Sequence, residues 1–355
     1  MKRRMAVAAA ALAAGIGLTV AAGVAAPVTA MASIPGSWNR IFQAREPGIF
    51  TSVAAVSESD VWAAGFHLNA SGQASGQPYV LRFNGSIWKS VTIPGARMTL
   101  RTVQATSASD VWVFGILPQS GDSTESAAYR WDGAHWHKIP VPAETYLQGT
   151  LALGPSNVWA FGDSGTMAGD VFHWNGSTWK SYNLNFFPQS ISASSAANVW
   201  LAGMTNSRTT EKATAYRWNG SRWLAVTSPH PVVDGGPGIT AVSPSNVWFG
   251  WGTETTAYAE HWNGHRWQLF TAPGNVAADT SHIVPDGRGG YWFGPYVDWT
   301  GHAWINAFGF SPVFYGGGFQ AFTRIPGTSS LVGVGGFEHQ GSNTEYPQIY
   351  RFDLG

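Results

Sequence analysis

The chain has 355 residues, 43 glycines, 19 tryptophans and no cysteine, and only 11% of it is charged, against about 25% in an ordinary soluble protein. Lys+Arg and Asp+Glu number 20 each, but Lys2, Arg3 and Arg4 precede the first acid, Glu46, so 17 basic residues face 20 acidic ones in the rest. Disulfides, thiolate catalysis and thiolate metal sites are excluded, and the lack of a basic stripe argues against nucleic acid as a partner.

Met1–Met5 reads MKRRM, and Ala6–Ala26 is uncharged and rich in alanine, glycine, valine and leucine. Pro27 follows, then the small-residue sites Val28-Thr29-Ala30 and Ala30-Met31-Ala32. This is the layout of a secretory signal peptide over residues 1–32, cleaved after Ala32. Retention as an anchor is the alternative, because a stretch of this length can span a bilayer. The weakly apolar alanines and glycines and the well-placed A-x-A site favour cleavage. Residues 33–355 are then expected outside the cell as a single-domain monomer with no membrane span.

The mature chain opens with Gly36-Ser37-Trp38-Asn39-Arg40, which reads as a lone strand. A unit then begins that repeats along the chain. Asp60-Val61-Trp62-Ala63-Ala64-Gly65 returns as Asp110-Val111-Trp112-Val113-Phe114-Gly115, as Asn157-Val158-Trp159-Ala160-Phe161-Gly162 and as Asn198-Val199-Trp200-Leu201-Ala202-Gly203. Weaker copies start at Asn246, Gly290 and Ser330. From Val61 to Leu331 there are six intervals over 270 residues, a mean period of 45.

A second motif follows each copy but the last in full form: Phe83-Asn84-Gly85 then Trp88, Trp131-Asp132-Gly133 then Trp136, Trp174-Asn175-Gly176 then Trp179, and so on to Trp299-Thr300-Gly301 then Trp304. Asn-Gly or Asp-Gly between alternating apolar runs predicts a two-residue hairpin turn with φ > 0 at both positions. In that register Phe172 faces Trp179, and His261 faces Arg266. Each unit resolves into four short strands, for example Ile191–Ser194, Val199–Gly203, Ala213–Trp218 and Arg222–Val226. Four strands at this period make a propeller blade. The last unit, ending Ile349-Tyr350-Arg351-Phe352, lacks a fourth strand, and the lone N-terminal strand supplies it. The expected fold is an all-β, seven-bladed β-propeller closed by the N-terminal strand joining the C-terminal blade.

Eighteen of the 19 tryptophans fall on repeated positions of the second, third and fourth strands. A ligand rarely needs every blade, so they are read as blade-to-blade packing. The four-stranded blade, the glycine closing the second strand and the aromatics around the hairpin resemble kelch-like, galactose-oxidase-type propellers. The D/N-V-W-A-x-G … W-N-G-x-x-W unit is more similar still to secreted repeat proteins of actinobacteria. That resemblance covers the whole mature chain and implies architecture, not chemistry. The copper–radical site of galactose oxidase needs a cysteine, so no catalytic residue carries over.

No nucleophile-elbow, zincin, P-loop or EF-hand pattern occurs, and no cofactor or metal set is expected. His135 and His137 share a strand face but have no carboxylate to complete a metal set. Arg82, Arg130, Arg217 and Arg351 share one third-strand position with His173, His261 and Asp298, which reads as a hydrogen-bonding feature of the blade. Function concentrates in variable loops on a rigid scaffold, here the second-to-third and blade-to-blade connections. Trp251 is the one tryptophan out of register. It starts such a loop, which also carries Glu254, and the connection entering the same blade carries His230 and Asp234. These four are the candidate ligand-binding residues, with packing of Trp251 at the channel mouth as the alternative. The expected function is an extracellular binding module, for a glycan or cell-envelope component. The alternative is a glycoside hydrolase or polysaccharide lyase using carboxylates of the variable-loop face, which requires two carboxyls at a defined separation.

Overall fold

The computed structural model describes residues 36–118, 125–142, 145–163, 169–205, 212–228, 237–252, 257–271, 281–295, 297–306, 317–338 and 344–353. They form strands and no helix, in seven antiparallel sheets of four strands each. Strand β1 (Trp38–Gln43) comes first. Blade 1 holds β2 (Gly48–Ser57), β3 (Asp60–Leu68), β4 (Ala74–Phe83) and β5 (Trp88–Ser90). Blade 2 holds β6 (Thr99–Ser107), β7 (Asp110–Ile116), β8 (Ser126–Trp131) and β9 (Trp136–Ile139). Blade 3 holds β10 (Tyr146–Gly154), β11 (Asn157–Asp163), β12 (Asp170–Trp174) and β13 (Trp179–Asn183). Blade 4 holds β14 (Phe187–Ser195), β15 (Asn198–Thr205), β16 (Lys212–Trp218) and β17 (Trp223–Val226). Blade 5 holds β18 (Gly238–Ser243), β19 (Asn246–Gly252), β20 (Ala257–Trp262) and β21 (Trp267–Thr271). Blade 6 holds β22 (Ile283–Pro285), β23 (Tyr291–Phe293), β24 (Val297–Trp299) and β25 (Trp304–Asn306). Blade 7 holds β26 (Gly317–Arg324), β27 (Leu331–Glu338) and β28 (Glu345–Phe352), and β1 pairs with β28 as its outer strand.

The first strands of consecutive blades touch one another all the way round, β26 meeting β2. They line a central channel, and each blade runs outward from it in chain order. The molecule is the expected seven-bladed propeller, closed by its N-terminal strand. No helix among the described residues is long and apolar enough to cross a membrane.

The repeated tryptophans supply the inter-blade packing. The second-strand indole of one blade enters the aromatic pair of the next: Trp62 lies 6.3 and 6.2 Å from Trp131 and Trp136, Trp159 5.3 and 5.2 Å from Trp218 and Trp223, and Trp200 6.1 and 6.0 Å from Trp262 and Trp267. Trp62, Trp112, Trp159, Trp200 and Trp292 are at most 1% exposed. Fourth-strand indoles reach back to the preceding blade, Trp179 donating to the Pro140 carbonyl at 2.7 Å and Trp38 to that of Pro295 at 3.0 Å.

The hairpin register differs from the sequence expectation. Trp174 pairs directly with Trp179, Phe172 with Ser181, and His261 with Gln268. The connection is a four-residue turn, closed by a bond from the Asn175 amide to the Thr178 carbonyl at 3.2 Å. Only its glycine has φ > 0, +100° at Gly176. Asn175 keeps negative φ, and its Oδ1 accepts the amides of Ser177 and Thr178, both at 2.9 Å. That asparagine cap makes a second left-handed residue unnecessary.

In blades 1, 2, 3 and 5 the Asp/Asn that begins the repeated motif bonds the third-strand Arg or His. Arg82 grips Asp60 through Nε and Nη2 at 2.8 and 3.0 Å, and Arg130 meets Asp110 at 2.6 Å. Where the cation is histidine the acid is asparagine: His173 bonds Asn157 at 2.8 Å and His261 bonds Asn246 at 3.0 Å. The same side chains accept indole protons, Trp112 to Asp110 and Trp200 to Asn198, both at 3.1 Å. Arg82, Arg130, His173 and His261 are therefore engaged within their blades, as the repeat argument expected, whereas the Arg217 Nε is buried without a hydrogen-bond partner among the described residues.

Candidate functional site

With both faces of every blade packed, an exposed side chain on an innermost strand opens onto the channel. Hydroxyls stitch these strands together: the Val103 amide donates to Ser52 at 3.0 Å, Thr102 and Thr150 meet at 2.7 Å, and the Ala241 amide donates to Ser192 at 3.0 Å.

Five innermost strands break register with their partner at one equivalent residue: Thr51 in β2, Arg101 in β6, Gln148 in β10, Gln189 in β14 and Gln320 in β26. Each lies three positions before the residue paired with the second-strand motif, opposite Trp62, Trp112, Trp159, Trp200 and Val332 respectively. A bulge inserts an unpaired residue and re-aims its side chain. Arg101, Gln148, Gln189 and Gln320 are exposed and Thr51 is half-buried. They sit near the starts of their strands, at the end of the channel where the long, variable connections enter. Three carboxamides and a guanidinium thus stand at equivalent positions of one mouth, while the Thr51 hydroxyl donates to the Leu100 carbonyl at 3.1 Å.

A cavity of about 480 Å³ extends from Thr51 and Arg101 along the first strands of blades 1, 2 and 7, and Gln148, Gln189 and Gln320 do not line it. Thr51, Arg101, Thr102, Gln104, His282 and Thr323 are its main polar lining, and no lining residue is acidic. None of the seven innermost strands contains Asp or Glu. Arg101 makes no ion pair among the described residues, whereas Arg324 on β26 is held by the Thr328 carbonyl at 2.8 Å. Among the described residues the channel wall is therefore donor-rich and carries no acid.

The acids lie elsewhere. Asp286 and Asp298 of blade 6 are each 3% exposed. Asp298 takes the third-strand position that is Arg or His in the other blades, opposite Trp292. At the head of this second strand stands Gly290, and an added Cβ there would meet the Trp299 carbonyl oxygen and, at 2.7 Å, Asp286 Oδ2. Its Oδ1 accepts the amides of Arg288 and Gly290 at 2.6 and 2.8 Å. Burial, then repulsion from Asp286, pushes Asp298 up to about 7. Burial holds His173 and His261 below the ordinary imidazole range. Exposed His137 bonds Asp132 at 2.6 Å, and this bond holds the carboxyl well below the usual range. Among the described residues no group of three or more His, Asp or Glu side chains is placed to hold a metal ion.

Of the four residues singled out from the sequence, His230, Asp234 and Glu254 lie outside the described residues. Trp251 is 5% exposed and packs with Phe249, Ile239 and Met204 of blades 4 and 5. Its ring stacks on Tyr258 at 4.2 Å. The sequence reading missed the bulge ring. Its signal is a position eleven residues ahead of the second-strand tryptophan, occupied by Thr51, Arg101, Gln148 and Gln189 in the first four blades.

No family model matches this chain, and no curated protein resembles it. Among solved structures it is similar to YCF48 bound to D1 peptide, at 12% identity and a TM-score of 0.57 over 94% of this chain and all of the other. A protein of unknown function from Dyadobacter fermentans scores 0.49 at 9% identity, over 91% of this chain and all of the other. The SapL1 lectin in complex with alpha methyl fucoside scores 0.43 at 13% identity, over 85% of this chain and 96% of the other. At these identities the likeness is one of fold alone.

Proposed function

We propose that the protein is a secreted binding module that holds an extracellular glycan, or another cell-envelope polymer, at the variable-loop mouth of its channel. The observation that carries this reading is the bulge ring of Thr51, Arg101, Gln148, Gln189 and Gln320. A carboxamide both donates and accepts, so a ring of them matches a hydroxyl-rich ligand, and bulges that re-aim side chains favour functional sites. The variable connections that carry Glu254, His230 and Asp234 in the sequence are proposed to extend the binding surface, whereas Trp251, 5% exposed, offers it little. Export by the leader, a monomeric propeller over residues 33–355 and kinship with kelch-like or secreted actinobacterial repeat proteins complete the proposal, supported by the leader layout and the repeat motif.

The test is retention on insoluble cell-wall polysaccharides. The triple variant Gln148→Ala, Gln189→Ala, Gln320→Ala touches only exposed side chains, whose replacement changes stability little. It is expected to melt with the parent and to lose retention. Undiminished retention would remove the channel mouth as the site.

A further inference from the structure

We infer that the channel mouth selects an acidic glycan, one that carries an oxyanion, carboxylate or phosphate, along its length. The inference rests on the glycan reading above and names the class of glycan. Three observations on the wall converge. The seven innermost strands contain no Asp or Glu. The 480 Å³ cavity has no acidic lining residue and has Arg101, Gln104, Thr102 and His282 along it. Arg101 is exposed and has no ion-pair partner among the described residues, whereas Arg82, Arg130 and Arg351 are each matched to a carboxylate.

An unmatched guanidinium presents its planar fork of N–H donors to oxyanions, and such charge-assisted bonds are roughly twice as strong as neutral ones. The cavity beside Arg101 is walled by the first strands of blades 1, 2 and 7 and by His282 of blade 6, and such a walled cleft strengthens that attraction relative to open solvent. A neutral polysaccharide satisfies the carboxamides equally well but leaves Arg101 unmatched. Specificity for the acidic polymer is thus the difference that one residue makes on a surface otherwise suited to sugars.

The repeat itself supplies the control substitution. Arg101→Gln installs the residue that blades 3, 4 and 7 carry at the same bulge, so the variant keeps a side chain the position accommodates. Binding is measured by calorimetry for polygalacturonate, for a poly(glycerol phosphate) and for fully methyl-esterified pectin as the neutral partner. The parent protein is expected to prefer at least one acidic polymer to the neutral one by about tenfold or more, as for one charge-assisted contact. That preference should weaken with salt. Whichever acidic polymer shows it identifies the oxyanion as carboxylate or phosphate. Arg101→Gln should abolish the preference by bringing the affinity for the acidic polymer down to that for the neutral one, and should melt with the parent. Equal affinity for acidic and neutral polymers, or a preference that survives Arg101→Gln, overturns the inference and leaves the glycan reading standing. Binding of none of the three, together with no retention on cell-wall polysaccharide, removes both.

Discussion

Trp159 is 1% exposed, stacked on His173 at 4.1 Å and wedged against Trp218 and Trp223 of the next blade. Nothing nearby can collapse into the space of an indole walled by other rings. Trp159→Ala should therefore destabilise by about 3–5 kcal/mol, seen as a lower urea midpoint at an unchanged slope. An unchanged midpoint would take position 159 out of the core. Asp298 makes a pH prediction with a definite sign. Its carboxyl is raised from 3.8 to about 7, so the folded state keeps a proton that the unfolded chain has lost. Its contribution is fully present below about pH 4 and falls as pH rises to 7, by at most about 4 kcal/mol for a shift of that size. The depressed His173 and His261 act oppositely, stabilising above the ordinary imidazole range and losing that as pH falls. Asp298→Asn should raise the melting temperature at pH 8 and flatten its decline between pH 5 and 8. The same decline in the variant would show that Asp298 is not its source.

At the scale of the element, the W-N-G-x-x-W hairpin is decided by contact between turns as much as by its own backbone. Gly176 has φ +100°, and a Cβ there would lie 2.8 Å from the Ser156 Cβ in the first-to-second turn of the same blade. Gly72 has a similar φ, +73°, but nothing within 4 Å of its added Cβ. Both should lose stability when changed to alanine, by about 1–3 kcal/mol for a left-handed non-glycine residue. Gly176→Ala should lose more than Gly72→Ala, because only it also forces two turns apart. Equal losses, read as shifts of the denaturant midpoint, would mean that the turn-to-turn contact carries no weight.

For the whole molecule, closure rests on one strand. Seven blades in a ring leave no sheet edge between the first and last, provided β1 covers β28. Trp38 performs the same blade-to-blade duty there as Trp179 does elsewhere, through its bond to Pro295, and Arg351 of β28 reaches Glu58 in blade 1 at 3.2 Å. Deleting Gly36–Gln43 should expose the β28 edge, open the ring and lower the unfolding midpoint. A chain so shortened that melted with the parent would mean that β1 does not close the ring.

Blade count, strand order and closure were legible because each is written in local pattern: a 45-residue period, an Asp/Asn-Val-Trp start and a glycine-containing turn, repeated until chance is excluded. The same repetition identified the eighteen register tryptophans and the third-strand Arg/His position as scaffold, and the structure supplied its Asp/Asn partner. The hairpin register was not legible, because whether Asn175 or only Gly176 turns left-handed depends on where the asparagine side chain finds amides to cap. Nor was the bulge ring. Arg101, Gln148, Gln189 and Gln320 lie on first strands among polar and apolar neighbours, with no flanking motif to single them out. Their common level at the channel mouth exists only once seven inner strands are brought side by side. Trp251 shows the converse: out of register in the sequence, it is nonetheless enclosed, because Met204 of the neighbouring blade and Ile239 of its own close on a position that the repeat leaves unassigned. Periodicity along the chain determined the scaffold; convergence across the ring, which no single repeat contains, decided which side chains face the space that a ligand can enter.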